Sequence, residues 1–338
     1  MEGNNIPIFI LAWGQDIRQR NDLLSKGLRS QIELAGFRIV DEIDGSGLQV
    51  YLDLPESLSR ARDFGPNAVL VVFEPRIVNP SEYDPGVLRR FKHVVRLSHL
   101  QMLPVDSHIW RQGQIPETTA TFQPEHTRQR FGNESCIGMV NENKQSLVRG
   151  SQYATRVRAI QALARAGFSV SVAGKNWDRP MRWLMFKYFR ELLRGLRAKA
   201  PIDLKNLIFF GAECKRLRGV NFIGPVYDAV KFLESVDIAL VIENESNYVS
   251  EKLFQALFAG TFPIYIGPPL KEFDIPGVAL EFQGSIENLP TRLLDLTQAE
   301  ITQIRQAAKA WLATSSAFDS WGLESSHRKL ALFLSTLV

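Results

Sequence analysis

Residues 238–269 read IALVIENESNYVSEKLFQALFAGTFPIYIGPP. The stretch contains an apolar run, a polar loop, a mostly apolar helical segment that ends at Gly260, and a second apolar run. This order predicts one βαβ unit, in which two buried parallel strands flank a helix. The loop after the first strand then lies at the carboxyl edge of the sheet, where open α/β sheets bind their ligands. The stretch therefore predicts both a fold class and the place of a site.

Short apolar runs alternate with amphipathic segments along the rest of the chain, which is typical of strands and helices around a mostly parallel sheet. The predicted strands outside 238–269 cover residues 8–13, 37–40, 48–52, 68–73, 93–97, 136–140, 169–173 and 207–210. The predicted helices cover residues 22–35, 57–63, 152–166, 181–199 and 229–236, and the chain is helical from residue 286 to its end.

Residues 99–135 interrupt the alternation with a polar stretch that contains three prolines, Pro104, Pro116 and Pro124. We interpret this stretch as a long connection or a domain boundary. A chain of 338 residues fits two domains of ordinary size. We therefore expect two Rossmann-like α/β domains, residues 1–135 with the linker and residues 136–338 with the terminal helices, and a ligand cleft between them.

The composition is that of a globular protein. Hydrophobic residues make up 45% of the chain and charged residues 22%, which excludes a largely disordered protein. The 40 Lys and Arg residues against 36 Asp and Glu residues give a net charge of +4, which is too small for a nucleic-acid-binding protein.

The two cysteines, Cys136 and Cys214, form no CxxC pair, and the five histidines form no i, i+4 pair. We expect neither a disulfide framework nor a metal centre, and a reducing, cytoplasmic location. The apolar run at residues 6–13 is too short for a signal peptide or a membrane span.

Lys252, which follows the polar loop in the first turn of the helix, is the residue most informative about a ligand. A cation in the first turn of a helix opposes the helix dipole by about 0.3–1 kcal/mol, whereas the free N–H groups there bind anions. Lys252 therefore indicates a bound phosphate, and the alternative is an ion pair with Glu251 or Glu245. Glu243 and Glu251 can accept hydrogen bonds from sugar hydroxyls, although a bracing role for Glu243 is equally compatible with its position.

The string from Glu243 to Pro269 resembles the donor-binding motif of the α1,3/4-fucosyltransferases, glycosyltransferase family 10. The matching positions are Glu243, Asn244, Tyr248 to Lys252, Ala259, Gly260, Pro263 and Gly267, with Ser250 in place of the usual threonine. A looser similarity exists to other two-domain transferases that place two glutamates eight positions apart in this unit.

The resemblance extends outward in two segments. Residues 151–174, SQYATRVRAIQALARAGFSVSVAG, are similar to the family segment that carries a diphosphate-contacting arginine. This places Arg156 in that role, with Arg158 as the competing choice. Residues 69–98 are similar to a strand that ends in the catalytic base, which implies Glu74, and the alternative for Glu74 is a salt bridge with Arg76 or Arg89.

The resemblance implies the GT-B fold and an inverting transfer of fucose from GDP-fucose to a hydroxyl of a glycan or glycolipid, without metal or other cofactor. Residues 1–135 would then form the acceptor side, and residues 136–338 would bind the donor. Lys252 and Arg156 would balance the charge of the leaving diphosphate, Glu251 would bind the ribose, and Asn244 and Tyr248 would line the fucose-diphosphate region. The alternatives are another nucleotide sugar on the same fold and a catalytically silent sugar-binding protein.

Residues 179–199 carry seven basic side chains and one acidic side chain. The apolar stripe Met185, Phe189, Leu192 and Leu196 has helical spacing, which predicts packing on the core. The excess positive charge has two interpretations. It forms a solvated cationic face, or it contacts an anionic membrane peripherally, beside a glycolipid acceptor.

Overall fold

The computed structural model describes residues 6–42, 47–54, 58, 64–97, 107–110, 131–207, 219–245 and 247–338. The strands are β1 Ile6–Ala12, β2 Gln15–Asp16, β3 Phe37–Ile39, β4 Leu48–Leu52, β5 Ala68–Val72, β6 His93–Leu97, β7 His108–Trp110, β8 Cys136–Val140, β9 Ser169–Ala173, β10 Val220–Gly224, β11 Ile238–Ile242, β12 Phe262–Ile266 and β13 Leu280–Glu281. The helices are α1 Leu23–Leu34, α2 Pro85–Leu88, α3 Tyr153–Arg165, α4 Met181–Arg197, α5 Ala229–Leu233, α6 Glu251–Phe258, α7 Leu289–Leu294, α8 Gln298–Leu312, α9 Ser315–Trp321 and α10 Leu323–Ser335. Short 3-10 helices lie at Ile17–Gln19, Pro80–Tyr83, Leu204–Asn206, Leu270–Phe273 and Ile286–Asn288.

The chain forms two compact units, Met1–Thr119 with Ser315–Val338, and Ala120–Thr314. Each unit contains its own largely parallel sheet, so the prediction of two α/β domains is confirmed. The last two helices differ from the predicted division, because α9 and α10 belong to the first unit, in which α10 packs along α1. Helical periodicity shows that a helix has an apolar face, but it does not show which domain covers that face.

The sheet of the first unit has the order β2-β1-β4-β5-β6-β7, and β3 pairs with β1. The described pairs are parallel except for β1 with β2. Every residue of β5 is buried, as expected for a strand that is covered on both faces.

Three sequence predictions concern residues 99–135, 57–63 and 207–210. The strand β7 lies inside the stretch 99–135 that we predicted to be a connection, so that prediction is wrong for residues 108–110. Three residues are too few to show the alternation that identifies a strand. The helix predicted over 57–63 falls outside the described residues except for residue 58, and the strand predicted over 207–210 does so except for residue 207.

The sheet of the second unit has the order β10-β9-β8-β11-β12-β13, and its described pairs are parallel. The predicted βαβ unit is present as β11, α6 and β12, and both strands are buried along their whole length. One face of the sheet forms a core with α3 and α7, to which alternate residues of the strands contribute: Ile238, Leu240, Ile242, Phe262, Ile264 and Ile266.

The basic helix α4 is present but packs through a different face from the one we predicted. Leu184 and Tyr188 are buried, and the Tyr188 hydroxyl donates to the Asn206 carbonyl at 3.2 Å. Three of the four residues of the predicted core stripe are exposed: Met185, Phe189 and Leu196. The helix is apolar on two faces, so the spacing of apolar residues does not identify the inward one. Among the described residues, no helix is long and apolar enough to span a bilayer.

Candidate functional site

The loops that follow β8 and β11 meet at the carboxyl edge of the second unit's sheet, because these parallel strands are neighbours. Ser151 and Glu245 form an isolated antiparallel bridge between the two loops. The amide of Gln152 donates to the carbonyl of Asn244 at 3.0 Å. We call residues 141–152 the β8 edge loop and residues 243–252 the β11 edge loop, and the two together the edge loops. They contain every residue that the sequence predicts to bind the donor except Arg156.

Glu243 forms the floor of the β11 edge loop. Its side chain is 0% exposed, and its Oε1 accepts a hydrogen bond from the amide of Ser250 at 3.0 Å, directly before α6. Burial raises the pKa of Glu243 to about 7, although the charge of Lys252 and the bonds from Ser250 oppose the shift. Its Oε2 and the neighbouring Tyr265 hydroxyl are buried without a partner among the described residues. Glu243 thus braces the loop from below, which is the alternative that the sequence left open.

Arg156 holds the end of β11. Its Nε and Nη2 donate to the carbonyl of Ile242 at 3.2 and 2.9 Å, and Nη2 also donates to Oδ1 of Asn244 at 2.6 Å. Its guanidinium lies over the Tyr153 ring, 4.8 Å from the centroid. Burial lowers the pKa of Arg156, while Tyr153, Glu243 and Glu251 oppose this shift, so both glutamates lie within its electrostatic reach.

Arg158, the competing choice, lies elsewhere on α3. Its side chain is exposed, and its Nη2 donates to the carbonyl of Lys205 at 3.2 Å. Residues two positions apart on a helix do not share a face. The structure therefore brings Arg156, and not Arg158, to the predicted donor residues.

Lys252 and Glu251 form an ion pair at the start of α6, with 2.9 Å between Nζ and Oε1. The ammonium also donates to Oγ of Ser250 at 3.4 Å. The lysine side chain is 17% exposed and the glutamate side chain 45% exposed, so both are reachable from solvent. Burial raises the pKa of Glu251, but the charge and hydrogen bond of Lys252 outweigh it and hold the pKa below its ordinary value.

Tyr248 lies inside the turn of the β11 edge loop. It is buried, and its amide donates to the Glu245 carbonyl at 3.3 Å. The β8 edge loop is held just as closely, because the indole of Trp177 donates to the carbonyl of Asn141 at 2.6 Å. Gly174, at φ +142°, allows this approach, since a Cβ there would lie 2.0 Å from the Asn141 oxygen. The described backbone of the edge loops is therefore held by contacts on both sides.

One charged residue of this edge, Lys144, is not among the residues predicted from the sequence. It is exposed in the β8 edge loop. Burial raises the pKa of Glu251, Lys252 lowers it, and the positive charge of Lys144 lowers it further. The polar run 141–146, NENKQS, directly follows the predicted strand 136–140. The rule that pointed to residues 243–252 applies equally to this run.

Glu74 lies in the first unit, just after β5. Its amide donates to Oδ1 of Asp53 at 3.2 Å, and its carbonyl accepts the hydroxyl of Tyr83 at 3.1 Å. Asp53 follows β4 and also accepts the amide of Phe73 at 2.7 Å. The sequence therefore placed Glu74 correctly at a strand end, but it did not identify the buried aspartate on the next strand.

A second buried acid, Glu82, accompanies Asp53. Its Oε1 accepts the amide of Leu54. Burial and the charge of Glu74 raise the pKa of Asp53 to about 7, and burial together with Asp53 raises the pKa of Glu82 well above its ordinary value. Three carboxyl groups thus share one region of the first unit. Among the described residues, no group of three or more Asp, Glu, His or Cys side chains is arranged to hold a metal ion.

A surface cavity of about 680 Å³ lies at the opposite, amino edge of the second sheet. Its lining consists of Asn133, Ala164, Arg165, Gly167, Phe168, Ser169 and Gly219. Arg165 is the charged residue of this lining, so the cavity lacks the convergent polar groups that mark a ligand site. The edge loops, and not this cavity, are the candidate site of the second unit.

No protein-family model matches the chain, and no curated protein sequence matches it. Among solved structures, the chain is similar to HepE of Anabaena in complex with UDP and glucose, at 14% identity over 93% of this chain and 81% of that chain, with a TM-score of 0.53. It is also similar to an alpha-glucosyltransferase (AGT) in complex with UDP, at 10% identity over 98% and 99% of the two chains, with a TM-score of 0.54. These similarities concern the fold, and they confirm the predicted GT-B class of two parallel-sheet α/β domains.

Proposed function

We propose that the protein is a glycosyltransferase that binds a nucleotide diphosphate sugar at the edge loops and transfers the sugar to an acceptor hydroxyl. The observation that carries this proposal is the Lys252–Glu251 pair at the N-terminus of α6, on the carboxyl edge of a GT-B sheet. A cation and the free N–H groups of a helix start together favour a phosphate group. The adjacent carboxylate is suited to accept hydrogen bonds from ribose hydroxyls.

The leaving diphosphate gains negative charge as its bond to the sugar breaks, so cations at this point stabilise the transition state. Lys252 supplies one cation, and Lys144 on the facing edge loop supplies a second. Arg156 adds positive charge from below and positions Asn244, to which it is hydrogen-bonded. Tyr248 and Asn244 would line the sugar.

Glu74 would act as general base for the acceptor. Its carboxylate takes the proton of the acceptor hydroxyl while that oxygen bonds to the anomeric carbon. The bond from this carbon to the diphosphate breaks in the same step, and the electron pair leaves with the diphosphate. Attack opposite the leaving group inverts the anomeric centre. Asp53 would position Glu74, because its carboxylate accepts the Glu74 amide at 3.2 Å.

The donor that the sequence favours is GDP-fucose, because the pattern Glu243-Asn244 followed by Tyr248 to Lys252 resembles that of the fucosyltransferases. A UDP-sugar is a second candidate, because HepE was solved with UDP-glucose, at 14% identity over 93% of this chain and 82% of that chain, with a TM-score of 0.51. The acceptor would be a hydroxyl of a glycan or glycolipid. A sugar-binding protein without turnover is the third candidate.

A panel of GDP-fucose, GDP-mannose, UDP-glucose and UDP-N-acetylglucosamine tests the donor. A ligand at about 100 times its Kd adds about 2.7 kcal/mol to the free energy of unfolding, so the true donor should raise Tm measurably. We expect GDP-fucose to do so and to release GDP when a glycan acceptor is present. Stabilisation by UDP-sugars alone would support the second candidate, and stabilisation without turnover the third. If none of the four stabilises the protein, the proposed donor site is wrong.

A further inference from the structure

The outward face of α4 is apolar. Five large side chains on it are between 36% and 63% exposed: Met185, Phe186, Phe189, Leu193 and Leu196. At 3.6 residues per turn these five fall within a sector about 100° wide, and Leu184 and Tyr188 point to the opposite side, into the unit. We call these five residues the α4 apolar face. A contiguous exposed apolar surface of this kind marks an interaction site.

Basic side chains border the α4 apolar face. Arg182, Arg190 and Arg197 are exposed beside it, and residues 179–199 carry seven basic side chains against Glu191 alone. Glu191 does not offer a free negative charge, because it lies 3.8 Å from Arg190 and 3.6 Å from Arg194. A partner that suits this face therefore has a negatively charged surface and an apolar layer beneath that surface.

The N-terminal end of α4 adds an amphipathic aromatic residue. Trp183 lies between two cations, 5.7 Å from the Arg179 guanidinium and 5.3 Å from the Lys187 ammonium, measured to its ring. Tryptophan and basic residues together favour the headgroup region of a bilayer. The helix has 17 residues and many charges, so it suits a position in the plane of the interface rather than across it.

We propose that the α4 apolar face docks the protein onto an anionic lipid membrane, with Phe186 and Phe189 inserted below the headgroups and the flanking arginines on lipid phosphates. The docking surface lies on the same unit as the edge loops. The charges of Glu142 and Lys144, in the β8 edge loop, reach Lys187 on α4. If the proposed function also holds, this arrangement suits a lipid-linked acceptor, but docking itself does not depend on that function.

Co-sedimentation of the full chain with lipid vesicles tests the proposal. The vesicles contain phosphatidylcholine alone or phosphatidylcholine mixed with phosphatidylglycerol. We expect binding to the mixed vesicles, with weak binding to phosphatidylcholine and a decrease as salt screens the arginines. The double variant Phe186→Ser, Phe189→Ser should reduce the bound fraction at least about fivefold. Arg190→Gln, Arg197→Gln should reduce binding to the anionic vesicles only.

The matched control is the double variant Leu34→Ser, Leu332→Ser, which changes two exposed leucines outside α4. It should bind like the wild type, and all variants should keep the wild-type Tm because the changed side chains are exposed. Absence of vesicle binding, or equal binding by the phenylalanine variant, overturns the proposal. A dimer in light scattering that the phenylalanine variant abolishes, without vesicle binding, assigns the face to a second copy instead.

Discussion

Lys252 carries the proposed diphosphate contact, so its removal is the most direct test of the site. We expect Lys252→Ala to weaken binding of the nucleoside diphosphate about 10- to 100-fold, because a charge-assisted contact to phosphate contributes about 1.5–3 kcal/mol. Titration calorimetry measures this change. Lys231→Ala is the matched control, since Lys231 is an exposed lysine of α5 outside the edge loops. Equal affinity in the two variants would remove Lys252 from the site.

Gly267 follows β12 beneath the edge loops. A Cβ at this position would lie 2.5 Å from the Tyr265 hydroxyl and 2.8 Å from Cγ of Glu243. Both neighbours are buried, so Gly267→Ala should cost about 1–3 kcal/mol through overpacking and weaken donor binding by shifting Glu243. Urea unfolding measures the cost. The matched control is Gly284→Ala, where the added Cβ would lie 3.1 Å from Cζ of Phe282. It should cost less than Gly267→Ala, and a larger cost for Gly284→Ala would contradict tight packing beneath the edge loops.

The pKa values of Glu82 and Asp53 are shifted upward, opposite to the shift of most carboxyl groups in folded proteins. Their pKa values are raised in the folded protein, so the folded state binds more protons than the unfolded chain, and the stability they contribute is lost as pH rises through about 7. Glu82→Gln keeps an oxygen for the Leu54 amide and removes one of the two acids. We expect the variant to unfold at higher urea concentration than the wild type at pH 8, with a smaller difference at pH 5. The same difference at both pH values would show that the pair does not control stability in this way.

The polar residues of the β11 edge loop were predictable because an apolar run, a polar loop and a helix start define the carboxyl edge of a sheet. Their individual roles were less accessible. Glu243 and Arg156 bond to the backbone of Ser250 and Ile242, and such contacts depend on tertiary packing. Asp53 was missed because a single acid after a strand is also the pattern of an ordinary turn.

The contact of α1 with α10 contains an ionisable group. Nε2 of His327 is buried without a partner among the described residues, and burial lowers the pKa of His327 to about 4. The folded state therefore holds this side chain neutral, and the stability it allows above pH 6.5 is lost as pH falls toward 4. We expect a loss of about 3 kcal/mol over this range. His327→Leu should reduce this dependence of the free energy of unfolding on pH, as measured by urea unfolding at pH 7 and pH 4.5. An unchanged dependence would show that another group is responsible.

At the scale of elements, the long buried strands were predicted well and the marginal segments poorly. The strand β11 is a short, uninterrupted apolar run, which is typical of a strand that is buried on both faces. The strand β7 has three residues and gives no such signal. The helix α4 was predicted, but its orientation was wrong, since Met185 and Phe189 are exposed and an apolar stripe has the same spacing whether it contacts a core or a partner.

The two units differ in how they depend on the C-terminal helices. Leu28 and Ile32 of α1 are buried in the first unit, as are Leu330 and Leu334 of α10. Deletion of residues 315–338 should therefore unfold the first unit, because exposing each such side chain costs about 1.5–3 kcal/mol and a domain is stable by only about 5–15 kcal/mol. Hydrogen exchange should become fast in β1, β4 and β5 and stay slow in β11 and β12. Unchanged exchange in the first unit would contradict this dependence.

The fold class was predictable for the whole molecule, because alternating strands and helices leave few architectures other than layered α/β domains. The assignment of the C-terminal helices was not. An amphipathic helix such as α10 needs an apolar partner, but its sequence does not name the partner, and here the partner is α1, nearly the full length of the chain away.

The return of the chain to its first unit sets an order of events during translation. The first unit begins with β1 but includes Ser315–Val338, whereas the second unit is continuous over Ala120–Thr314. Domains generally fold as units while the chain emerges from the ribosome. The second unit can therefore complete its core before α10 is available to pack on α1, so the N-terminal segment of the first unit is made before the second unit but completed after it.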